Sequence, residues 1–295
     1  MEAVFRLDGI PLWGIFILAI VTVLASIGIG TLLGRHRRTL PDHESESSLG
    51  TIIGAMLGLL AFMLAFTFGM AADRFQTRKQ LLLDEVNTIG TTYLRAGLLQ
   101  EPHGSEVQAL LRHYVDFRAG LASQPPADQV KGLKELILRS EELQSQMWLH
   151  AIALAKADRS SEIDALFISS LNELMEIHNS RATTISYRIP PAIWYVLSCI
   201  TILSMVTVGY QEGLSGKRSV KMGIVLAFTF SAVVFLIADL DRATGTLRVN
   251  QKPLFELQRR IQEAAGPDGA AEKAMLLIDP VAEILHDHHA AEILQ

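Results

Sequence analysis

Apolar runs of about twenty residues alternate with long polar segments along this chain, and their order fixes most of what can be read from it. A helix needs about 20 predominantly apolar residues to cross roughly 30 Å of hydrocarbon. Four stretches meet that length: residues 11–34, 49–72, 189–210 and 222–238. The first carries no charge before Arg35. It is too long for the core of a signal peptide and has no good cleavage site ahead of its basic cluster, so it reads as an uncleaved span. Arg74, Arg188, Glu212, Lys221 and Asp239 bound the others. Short polar loops, 35–48 with Pro41 and 211–221 with Gly213 and Gly216, join the spans in pairs.

Helical periodicity dominates between the pairs. The second span is expected to run on as one helix through 74–99, since no proline interrupts it. A helix over 105–123 follows, ended by Gln124-Pro125-Pro126. Asp128 is placed as the N-cap of a third helix reaching Ala157. Ser161, three residues before Asp164, has capping-box spacing and opens a fourth helix running to Ser186. Beyond the last span come a turn at Gly245-Thr246, a short extended stretch over 247–250, and an amphipathic helix over 254–264 opened by Pro253. No alternation of β-branched and polar residues competes. The expected fold is therefore all-α. It is an integral membrane protein whose two transmembrane helical hairpins, four spans in all, flank a helical soluble bundle. The expected division is 1–72 (first hairpin), 73–188 (helical domain), 189–238 (second hairpin) and 239–295 (soluble C-terminal segment).

Composition agrees with two solvents. Hydrophobic residues make up 49% and charged residues 19%, with a mean hydropathy of +0.29, whereas soluble domains carry about 25% charged residues. The net charge of −5 offers no basic face, so nucleic acid is not an expected partner. Cys199, alone and inside the third span, excludes a disulfide framework and a zinc ribbon.

Catalytic and metal chemistry find little support. Glu173 and Glu176 share a helical face while His178 points elsewhere, and the three read as solvated surface. His286-Asp287-His288-His289 near the end of the chain reads as a solvated patch. No oxygen-rich loop has calcium spacing. Asp239 and Asp241 are expected to cap, or to pair with Arg242 or Arg248. No enzyme activity, cofactor or metal is expected.

The second span carries the most informative pattern. Gly54, Gly58, Phe62, Phe66, Met70 and Arg74 follow at intervals of four and form a slowly drifting stripe. Gly54 and Gly58 permit close helix packing. Phe62 and Phe66 fit two roles: contact with lipid or neighbouring helices, or a hydrophobic constriction facing a pore.

The run Leu60-Ala61-Phe62-Met63-Leu64-Ala65-Phe66, followed by Ala72-Asp73-Arg74-Phe75, Arg78-Lys79 and Val86-Asn87, resembles the bestrophin anion-channel pattern. Over essentially the whole chain the closer resemblance is to the bestrophin-like domain family of bacterial membrane proteins. Phe68-Gly69-Met70, Ile89-Gly90-Thr91, Tyr93-Leu94-Arg95 and Asp239-Leu240-Asp241-Arg242 carry it. The resemblance implies a homo-oligomeric anion channel in the lipid bilayer of a bacterial inner membrane, conducting inorganic anions such as chloride. In it Phe62, Phe66 and Met70 line the pore, and Asp73, Arg74, Arg78 and Asn87 form a membrane-exit motif. The alternative is a non-conducting anchor or sensor whose helical domain binds a partner protein.

Charge bears on sidedness. Arg35-His36-Arg37-Arg38 and Lys217-Arg218 with Lys221 lie in the short hairpin loops, which the positive-inside rule places in the cytoplasm, opposite the helical domain. The resemblance to true bestrophins implies the reverse.

Overall fold

The computed structural model describes residues 11–39, 49–216, 220–242 and 245–265, with the backbone alone for 126–131 and 186. Its elements are helices: α1 (Leu12–Arg38), α2 (Leu49–Ala96), α3 (His103–Ala122), α4 (Pro126–Ala157), α5 (Glu162–Ser186), α6 (Pro191–Ser215), α7 (Val220–Asp241) and α8 (Lys252–Ala264). Among the described residues there is no strand. The chain divides into two compact units, Met1–Gln76 with Tyr187–Arg248, and Thr77–Ser186 with Val249–Gln295. The long helix α2 contributes to both, as the unbroken pattern through Arg74 predicts.

In the first unit α1, α2, α6 and α7 are each long and apolar enough to cross a membrane. Each begins or ends within a few residues of its predicted span, and α1 and α6 continue further into the polar loops. The remainder of those loops, residues 40–48 and 217–219, lies outside the described residues.

Lipid tails are as apolar as leucine, so helices within a bilayer associate through close packing rather than through the hydrophobic effect. The packing of α1 on α6 follows that rule. Gly30 and Gly34 of α1 face Gly209 and Gly213 of α6, each pair with G-x-x-x-G spacing. A Cβ on Gly30 would collide with the Val206 carbonyl oxygen, one on Gly209 with that of Ile27, and one on Gly213 would stand 2.5 Å from that of Thr31. On the other side of α1, Phe16 meets Phe228 and Phe235 of α7 edge-on, with centroids 5.5 and 6.1 Å away. The hydroxyls of Ser26, Thr31, Thr67, Thr201 and Thr207 each donate to the carbonyl four residues back. These five hydroxyls are thereby satisfied within their own helices where no water reaches, whereas the buried Ser231 hydroxyl of α7 has no partner among the described residues.

Two aspartates close the end of α7. Asp239, almost wholly buried, accepts the backbone N–H groups of Thr246 at 2.5 Å and Leu247 at 3.0 Å, holding the turn that follows. Asp241 accepts the Ile189 N–H at 3.0 Å and so ties the approach to α6 to the end of α7. Neither caps a helix: both accept N–H groups of the non-helical segments that flank α6 and follow α7.

The second unit is a helical bundle. Leu82, Ile89 and Tyr93 of α2 pack in one core with Leu111 and Tyr114 of α3, Met147 of α4 and Phe167 and Leu171 of α5. Helix α8 adds Leu254, Leu257 and Ile261, one face of an amphipathic helix whose first turn contains Pro253. The Ser161 hydroxyl accepts the Asp164 N–H at 3.2 Å, as its spacing predicts. The expectation for Asp128 is corrected: α4 begins at Pro126, because proline suits the first turn of a helix, and Asp128 falls inside that turn.

Candidate functional site

Within the apolar part of α2, Ile53, Leu60, Thr67 and Ala71 are buried. These positions recur at seven, seven and four residues, so they form one narrow seam by which the helix rests on its own unit. At about 100° per residue, Phe62 and Phe66 stand about 180° and 220° around the helix from Ile53. They point away from the seam and are 65% and 54% exposed. Gly54 and Gly58 lie on the same uncovered side, and a Cβ built on either meets nothing within 4 Å. Met70, further round the stripe, is partly buried. The single chain thus packs the G-x-x-x-G pairs of α1 and α6 against each other, while a Cβ on Gly50, Gly54 or Gly58 of α2 meets nothing within 4 Å among the described residues.

Along the same helix, Asp73 and Asn87 are exposed while Arg74 and Arg78 are partly covered. Arg74 keeps a buried Nη1 with no hydrogen-bond partner among the described residues. Asp73, Arg74, Arg78 and Asn87 lie along the same helix as the stripe.

The bundle holds a second polar constellation that the sequence pattern did not single out. Glu85 of α2 is fully buried. It accepts hydrogen bonds from Arg118 of α3 at 3.0 Å, from Tyr114 of α3 at 3.1 Å, and from Arg181 of α5. The His178 Nδ1 stands 3.3 Å from Arg118 and 3.5 Å from the Tyr114 hydroxyl. Reading His178 as solvated surface is corrected: it is 2% exposed, whereas Glu173 and Glu176 are exposed as expected. The difference is one of helical face, since His178 falls four residues after Leu174, a core position. Burial, with Arg118 beside it, pushes the His178 imidazole down to about 4. Burial also lowers Arg181 to about 10, which leaves it charged at neutral pH. A charged residue set at core spacing between Leu82 and Ile89 was the available signal for Glu85.

The family model for the bestrophin-like domain matches residues 16–254, both hairpins and the whole bundle between them. The chain belongs to the bestrophin-like domain family. The fold of this bestrophin-like protein is shared with crystal structures of a bacterial bestrophin homologue from Klebsiella pneumoniae. One such single-substitution variant has a TM-score of 0.61 at 16% identity, covering 85% of this chain and 99% of that one. Another reaches 0.60 at 14% identity, covering 84% and 97%. A crystal structure described as a membrane protein reaches 0.60 at 15% identity, covering 86% and 98%. No curated protein matches the chain. The bestrophin-like protein is accordingly an all-α integral membrane protein, as its four apolar helices require.

Proposed function

We propose that copies of this bestrophin-like chain assemble around the uncovered face of α2 into an anion channel, with Phe62, Phe66 and Met70 forming a hydrophobic constriction. The observation that carries the reading is the placement of Phe62 and Phe66 opposite the seam that packs α2 on its own unit. A membrane helix anchored by one seam, with rings on the far side, can line an axis shared by several copies. Rings of apolar side chains then gate by excluding water. Gly54 and Gly58 favour the reading because their exposed backbone admits a second helix at short range. Arg74 and Arg78, further along α2, place positive charge beyond the constriction, which favours anions over cations. The membrane would be the bacterial inner membrane, with the hairpin loops in the cytoplasm according to their Lys and Arg content.

The test combines stoichiometry and flux. The protein in mild detergent is sized by light scattering, then reconstituted into chloride-loaded liposomes. A ring of subunits with chloride efflux supports the channel. A monomer, or a stable ring that passes no chloride, nitrate or iodide, overturns it in favour of a membrane anchor whose helical domain binds another protein.

A further inference from the structure

We propose that His103, Glu106 and His150 form a binding site for a transition-metal dication of the zinc class, which clips the first turn of α3 to the C-terminal part of α4. The inference is independent of conduction, since all three residues belong to the helical bundle.

His103 opens α3, and Glu106 lies three residues on, hence on the same helical face. His150 comes from α4, which packs on α3. Among the described residues this is the one place where three such side chains converge, with one donor atom from each lying within 4.8 Å of the others. The two Nδ1 atoms are 3.0 Å apart, with the rings nearly perpendicular at 77°. The Glu106 Oε2 stands 3.6 Å from the His150 Nδ1. Zinc bonded to nitrogen and oxygen at about 2.0–2.2 Å in tetrahedral geometry sets its ligands roughly 3.3–3.5 Å apart. The two observed separations, 3.0 and 3.6 Å, bracket that value. A hydrogen bond between the rings accounts for the nitrogens alone, because the carboxylate is beyond ordinary hydrogen-bond length yet at ligand spacing.

The donor set selects the ion. Two imidazoles and one carboxylate suit zinc, cobalt or nickel, whereas magnesium and calcium require oxygen ligands. Both histidines are partly buried and Glu106 is exposed, so an ion can enter from water and keep a water molecule in the fourth position. Trp148, two residues before His150, packs against the bundle core and reports on the clip.

The experiment uses the full-length protein in detergent, purified without a polyhistidine tag and stripped of metal. Cobalt is titrated while its visible absorption is followed, and zinc is then added in competition. The expected result is one cobalt per chain with a tetrahedral-type spectrum, displaced by zinc but not by magnesium or calcium, and a change in Trp148 fluorescence. His103→Ala and His150→Ala should each weaken binding by at least the roughly 10–100-fold that loss of an outer-shell partner costs, with Glu106→Gln intermediate. A variant with His286, His288 and His289 changed to Ala controls for the histidines near the end of the chain and should bind like the parent. Size-exclusion profile and helicity without metal check each fold. If His150→Ala does not fold, His103→Ala, at the first residue of α3, is the deciding variant. Equal cobalt and zinc affinity in the parent and in the folded histidine variants, or loss of binding only in the control variant, overturns the site.

Discussion

Arg118 and Glu85 meet 2.9 Å apart inside the helical bundle, on side chains 7% and 0% exposed. Arg181 shares the same carboxylate from α5, so one anion joins three helices. Glu85→Gln leaves one buried and one partly buried guanidinium group, Arg118 and Arg181, without their counter-charge. Breaking a buried pair by removing one partner costs about 3–5 kcal/mol. The bundle of the variant should unfold at clearly lower denaturant or temperature, and an unchanged midpoint by circular dichroism in detergent would refute the role.

The same cluster sets a pH dependence. The His178 ring binds its proton near the ordinary 6.5 when unfolded, but only near 4 in the folded bundle. Between those values the unfolded chain holds more protons, so folding stability is full above about pH 6.5 and falls as the pH drops toward 4. That loss is on the order of 3 kcal/mol. Denaturation midpoints at pH 8, 6 and 4.5 should decline for the parent, and decline less for His178→Gln. Parallel curves would assign the acid sensitivity to other groups.

If Phe62 and Phe66 form the constriction, shortening either ring to Ala widens and wets it. Chloride flux through reconstituted protein should rise for each variant and more for the pair. Equal flux in a protein that conducts would return both rings to lipid.

The glycine pairs predict opposite outcomes. Gly30→Val and Gly209→Val drive side chains into the carbonyls of the facing helix, and should lower the yield of folded chain, since overpacking costs about 1–3 kcal/mol even against side chains that can move. At Gly54 and Gly58 an added Cβ meets nothing within 4 Å among the described residues, so Gly54→Val and Gly58→Val should leave the fold intact while weakening assembly. Size exclusion with light scattering separates loss of fold from loss of the ring, and a normal ring from the Gly58 variant would remove α2 from the subunit contact.

Sidedness follows from the charged loops. In a Cys199→Ala background, single cysteines placed at Ser45, Ser215 and Ser123 are exposed to a membrane-impermeant thiol reagent in intact cells. Labelling at Ser123 alone is expected from the positive-inside rule. Labelling at Ser45 and Ser215 instead would establish the reverse orientation.

Length and hydropathy alone revealed the four spans and the helical domain between them, because only backbone bonded internally crosses a bilayer and a long apolar helix achieves that by itself. The continuous α2 and the Ser161 cap were legible for an equally local reason: an unbroken helical pattern and a three-residue spacing each act within one helix. Contacts between helices were not legible in this way. Glycines at four-residue spacing occur on α1, α2 and α6, and nothing in that spacing says that those of α1 and α6 meet while those of α2 have no neighbour among the described residues. Glu85, Arg118, Arg181 and His178 lie up to 96 residues apart and form one cluster only because three helices present them to the same interior. His103 and His150, separated by 47 residues, converge for the same reason. Residue spacing tells which side chains share a face of one helix, whereas the partner of that face depends on how the helices pack.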